Sequence, residues 1–159
     1  MIIKKVVCFF CIICSLFCCF IGCSSNIEEK KQDIIKLNLS NIDDYIEVSK
    51  CDNYGYAAFY VYLTVELAIK EKDYVANNSF SVSCVFDGQF SAVLKNDLVT
   101  PVHFSHHEFF YINFSKGKNS ASKGVSLYNL KYKDYGYIYM TSYTLNISTS
   151  SGEIIKISN

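Results

Sequence analysis

Apolar and polar residues alternate along most of the chain beyond its first two dozen positions, and period-two alternation marks half-buried strands. The longest run sets Ala57, Phe59, Val61, Leu63, Val65, Leu67 and Ile69 against Tyr56, Ala58, Tyr60, Tyr62, Thr64, Glu66, Ala68 and Lys70. It predicts one long strand, ended by Glu71-Lys72-Asp73 and Asn77-Asn78. Phe80, Val82, Cys84 and Phe86 then share a face, Asp87-Gly88 reads as a hairpin turn, and Phe90, Ala92 and Leu94 form the returning strand. Asn96-Asp97 turns the chain into a strand over 98–104, and further strands are predicted over 108–114, 125–132, 137–147 and 153–157. Upstream, Ile35, Leu37 and Leu39 make a short strand. Residues 41–45 form one helical turn, with Asn41 as N-cap and Asp43 and Asp44 where the helix dipole favours negative charge.

Eight or nine short strands with almost no helical pattern predict an all-β fold. The architecture expected is an antiparallel two-sheet sandwich, broadly immunoglobulin-like, with a barrel as its rival. Cys51, Cys84 and the absence of tryptophan do not match a true immunoglobulin domain, so the label describes architecture only. The organisation expected is a signal segment over 1–22, a lipidated polar tether over 23–33 and the β-domain over 34–159.

The first 23 residues stand apart, because 19 of them are apolar and six of the eight cysteines lie there. Lys4 and Lys5 precede an apolar run from Val6 to Ile21, and polarity returns at Ser24-Ser25, the layout of a secretory signal. Phe20-Ile21-Gly22-Cys23 resembles the lipobox of bacterial lipoproteins, with Phe20 where that family usually has leucine. The resemblance implies that Cys23 is lipidated and becomes the first mature residue, anchoring an extracytoplasmic domain to the bacterial membrane. An uncleaved apolar anchor is the alternative and predicts the same topology. Cys8, Cys11, Cys14 and Cys18 carry the spacing of a ferredoxin cluster, but their spacers are apolar and a membrane-inserted segment supplies no folded shell. They read as small hydrophobes. The block 37–46 is similar to a leader found in uncharacterised Firmicutes surface lipoproteins, which implies a β-rich domain without a known activity.

Beyond Cys23, 13 lysines face 15 acidic residues and there is no arginine, so the fork that grips phosphate and guanine edges is missing. Nucleic acid is therefore not an expected partner. No G-x-S-x-G, P-loop, H-E-x-x-H or dinucleotide fingerprint occurs, and neither catalysis nor a cofactor is expected.

Three groups remain as candidate sites. His103, His106, His107 and Glu108 fall within six residues, and a turn at Ser105-His106 would bring His103, His107 and Glu108 around one metal ion. In a regular strand, however, His103 and His107 share one face and His106 and Glu108 the other, which leaves histidines solvated on a turn as the plainer reading. Cys51 and Cys84 would close a 33-residue interval by a disulfide contributing about 3.7 kcal/mol, or Cys84 packs as a hydrophobe beside Val82 and Phe86. Tyr56, Tyr60 and Tyr62 lie opposite the best apolar stripe, and Tyr135, Tyr137, Tyr139 and Tyr143 line one face of a late strand. The first three are the expected contact surface for a protein or glycan at the cell surface. The resulting expectation is a membrane-anchored, non-catalytic binding or structural lipoprotein. A metal-binding surface protein and an inhibitor or immunity-type lipoprotein are the alternatives.

Overall fold

The computed structural model describes residues 31–57, 60–131 and 134–157, and of 52, 53, 55–57, 60 and 128–131 the backbone alone. The predicted signal segment and nearly all of the tether lie outside them. The described residues form nine strands and one helical turn: β1 (Gln32–Leu37), α1 (Ile42–Tyr45), β2 (Ile46–Ala57), β3 (Tyr60–Ile69), β4 (Tyr74–Ala76), β5 (Phe80–Leu94), β6 (Asp97–Phe114), β7 (Ser120–Lys131), β8 (Tyr135–Ser148) and β9 (Gly152–Ile157). Among the described residues no helix is long and apolar enough to cross a membrane.

All pairings are antiparallel, in the orders β2-β3-β7, β6-β5-β8 and β1-β9-β4. Val61, Leu63, Val65, Leu67 and Ile69 of β3 and Val82, Cys84, Phe86, Phe90 and Ala92 of β5 are buried and join one core. The fold is thus an all-β sandwich, as the alternation predicts, built on the central strands β3 and β5. It has a third sheet where an immunoglobulin domain has two. That short sheet adds Leu37, Ala76 and Ile154 to the same core. Backbone bonds tie it in: the Ala76 amide donates to Lys118 O at 2.9 Å, and the Gly117 amide to Ala76 O at 2.8 Å.

Several boundaries differ from the expectation. The stripe over 57–69 is two strands, because Ala57 pairs with Tyr60 and the chain reverses between them. Only Ala57 of the stripe belongs to β2, and because it falls in phase with Val61 to Ile69 the two strands read as one. The opposite error occurs at Asp87-Gly88, where β5 runs straight through without a turn. A Cβ on Gly88 would stand 2.6 Å from the Phe90 ring and 2.7 Å from that of Phe86. This glycine makes room for two aromatic rings rather than a reversal. The hairpin turns instead at Lys95-Asn96, since Leu94 pairs with Asp97. Asp97 Oδ1 accepts from the Val99 and Thr100 amides, both at 3.1 Å. These bonds, that from Thr100 foremost, hold its carboxyl below the usual range.

The expected turn at Ser105-His106 is likewise absent, and β6 is a single 18-residue strand. At the N-terminal side, β1 begins at Gln32, paired with Ile157, two residues before the expected boundary. Leu39 lies beyond the strand and is exposed. Asn41 does not cap α1, because its side chain turns back to accept from the Asn38 amide at 2.8 Å and to donate to Lys36 O at 3.0 Å.

Candidate binding face

Strand β6 carries two unlike faces, and its register with β5 fixes both. Phe104, His106, Glu108, Phe110, Ile112 and Phe114 point inward; His103, Ser105, His107, Phe109, Tyr111 and Asn113 point outward. Period two thus separates the histidines as the sequence suggests, but on a strand rather than a turn. His106 is 8% exposed and sets its Nε2 3.1 Å from Glu108 Oε2. Outside, His107 is exposed and its Nδ1 lies 2.5 Å from Oδ1 of Asp87, its direct partner on β5. The two pairs sit back to back across one sheet.

Because Glu108 faces inward with His106, it cannot join His103 and His107 around an ion. Among the described residues no three His, Cys, Asp or Glu side chains gather as metal ligands. The expected set His103, His107 and Glu108 is corrected on that ground.

The outward face of the β6-β5-β8 sheet also carries exposed rings. Phe109 and Tyr111, 53% and 56% exposed, meet edge to face with centroids 5.1 Å apart. Tyr137 and Tyr139 of β8 form a second exposed pair, 5.7 Å apart. Phe109 and Tyr111 stand opposite Val85 and Ser83, whereas Tyr139 and Tyr137 stand opposite Ser91 and Val93. The midpoints of the pairs are therefore eight residue steps apart along β5, about 26 Å at the rise of a strand. Between them lie Asp87, Gln89, Ser105, His107, Ser142 and Thr144, a strip of hydrogen-bonding groups. Ser91, flanked by His103 and Tyr139, is fully buried, and its hydroxyl has no hydrogen-bond partner among the described residues.

The four late tyrosines do not share one face. Gln89 pairs with Ser142 but Phe90 with Met140, so Thr141 is an extra residue in β8 and its hydroxyl donates to Gln89 O at 3.1 Å. One inserted residue reverses the facing of everything after it. Tyr143 accordingly turns inward, its ring 6.2 Å from that of Phe86. With Met140 it lines an open cleft of about 560 Å³ whose other wall is Val48, Ser49, Lys50 and Cys51 of β2.

Of the expected contact residues, Tyr62 is half-buried, its ring beside Gly124, and the side chains of Tyr56 and Tyr60 lie outside the described residues. Cys51 and Cys84 are both buried and carry thiols rather than a bridge. They belong to different sheets, Cys51 to that of β2 and Cys84 to that of β5. Burial pushes the Cys84 thiol up to about 11.

Phe109 and Tyr111 were legible in one respect: Phe109-Phe110 is an adjacent aromatic pair within a strand, and strand geometry sends one of the two rings outward. No protein-family model matches the chain, and neither a curated protein nor a solved structure does.

Proposed function

We propose that the protein is a membrane-anchored extracytoplasmic lipoprotein whose β-sandwich is a non-catalytic binding module. The outward face of the β6-β5-β8 sheet makes the contact. The observation that carries the binding role is the pair of exposed ring clusters, Phe109 with Tyr111 and Tyr137 with Tyr139, on either side of a polar strip. Rings supply contact area at low entropic cost, and the strip supplies donors and acceptors, a combination suited to a protein or glycan at the cell surface. The anchor rests on Phe20-Ile21-Gly22-Cys23 behind its apolar run. An inhibitor or immunity-type role would use the same face on a protein target.

The test has two parts. Metabolic labelling of the full chain in a bacterial host with an alkyne fatty acid should mark the wild type and leave Cys23→Ala unlabelled. Photocrosslinking from position 105, in the polar strip, should capture one partner in intact cells. The Phe109→Ser/Tyr111→Ser and Tyr137→Ser/Tyr139→Ser variants should each reduce that capture by about tenfold, the loss of roughly 1.4 kcal/mol. Unchanged capture in both variants rejects the face. A protein as the captured species favours the inhibitor reading, and a glycan removes it.

A further inference from the structure

The β1-β9-β4 sheet has its own two faces. Leu37, Ala76 and Ile154 point into the core and are buried. On the opposite side the register places Ile34, Ile155 and Val75 in one row across all three strands. Ile157 lies two residues beyond Ile155 on the same side. Ile34 is 60% exposed and Ile157 40% exposed, while Ile155 and Val75 are half-buried. The row itself holds no polar side chain; Lys36 opposite Glu153 borders it on one side, and exposed Gln32 stands opposite Ile157 on the other.

The chain outside the described residues arrives at this sheet. It ends at Lys30, one residue before β1. Nine peptide steps connect Cys23 to Gln32, which reach at most about 32 Å when fully extended. If Cys23 carries lipid, as the proposed function has it, the first strand of the domain is held within that distance of the bilayer. Tethering at this length gives an effective concentration on the order of millimolar, so even a weak contact is largely occupied. An isoleucine moved from water into the headgroup and acyl boundary supplies such a contact without any pocket.

We infer that the outer face of the β1-β9-β4 sheet rests on the lipid surface, with Ile34 and Ile157 in the headgroup and acyl boundary. The molecule also offers a competing site. The β5–β6 hairpin ends in exposed Leu98 and Val99, at the opposite end of β5 from Phe80, whose ring lies against Gly152 of β9; the fourteen residue steps of β5 between these ends span about 45 Å at the rise of a strand.

Tryptophan fluorescence decides between the two, because the chain has no tryptophan and one introduced residue reports alone. The full, lipid-modified chain carrying Ile34→Trp, Ile157→Trp or Val99→Trp is reconstituted in vesicles of phosphatidylcholine and phosphatidylglycerol, with or without bromine on the acyl chains. Bromine at the boundary should lower the emission of the Ile34→Trp and Ile157→Trp proteins about twofold and leave the Val99→Trp protein unchanged. Equal emission from the Ile34→Trp and Ile157→Trp proteins in both lipids, while the protein floats with the vesicles, overturns this inference and leaves the anchored reading standing. Quenching of the Val99→Trp protein alone assigns the membrane contact to the hairpin tip and also overturns it. A wild-type chain that does not float with vesicles rejects the anchored reading, and the inference with it.

Discussion

Strands β3 and β6 show the same period of two and use it in opposite ways. In β3 the apolar residues Val61 to Ile69 face the core and the polar ones face outward, the arrangement that burial of apolar surface favours. In the middle of β6 the arrangement is inverted: His106 and Glu108 face inward, while Phe109 and Tyr111 face solvent. An inward ionisable pair costs desolvation, and outward rings forgo burial. Departures from the local rule concentrate where a sequence serves something besides stability. That is why the proposed binding face is the one on the β6 side of the sandwich and not on the β3 side.

The widest separation between these strands comes from truncating each. Leu63→Ala in β3 should cost about 3 kcal/mol by urea unfolding, because Leu63 is fully buried. A cost below about 1 kcal/mol would remove β3 from the core. Gly88→Ala should cost about 1 to 3 kcal/mol, since its Cβ would meet both phenyl rings, whereas Gly136→Ala meets nothing closer than 3.7 Å and should stay within about 0.5 kcal/mol. Equal midpoints for the two variants would contradict the ring clamp.

Cys84 probes the sealed interior next to the inverted segment. With its thiol pushed up to about 11 by burial, alkylation at pH 8 should run about a hundredfold slower in the folded protein than in urea. The raised value means the folded state binds this proton more tightly. Its contribution to stability is therefore complete below about pH 9 and is lost as pH rises towards 11. Rapid alkylation under native conditions would show that the β5 interior opens.

The smallest effects belong to β6 itself. A double-mutant cycle of His106→Leu and Glu108→Leu should return a coupling of about 1 kcal/mol, reduced because Glu108 is partly exposed. Phe109→Ser and Tyr111→Ser should change stability by less than about 0.5 kcal/mol while weakening partner contact. A loss of folding in either variant would turn the inverted face into ordinary core.

The alternation that predicts an all-β sandwich says less about where strands end. Nine strands are expected at most and nine are found among the described residues, but offsetting differences produce the agreement. Asp87-Gly88 and Ser105-His106 carry turn chemistry, yet long-range pairing of β5 with β6 overrides it, as the Asp87 to His107 contact shows. The reversal between Ala57 and Tyr60 was hidden because Ala57, the last residue of β2, falls in phase with the apolar stripe of β3. For the site, the separation of His103 and His107 from His106 and Glu108 was legible from strand geometry. Which side faces the core was not, since that depends on the sheet packed against it. Tyr143 was misplaced for another reason: a single extra residue at Thr141 has no signature in a run of alternating Tyr, Thr and Ser.

The pairing of β1 with β9 joins residues 32 to 37 with 152 to 157 and spans nearly the whole described chain. Such distant partners meet only after a large loop has closed, which makes this the slowest kind of contact to form. During synthesis the small sheet cannot close until the last strand has left the ribosome, and a chain being exported would still be open while it passes through the translocation channel. Truncation before Ile154 would remove the partner of both β1 and β4 together and leave two unpaired strand edges available for aggregation.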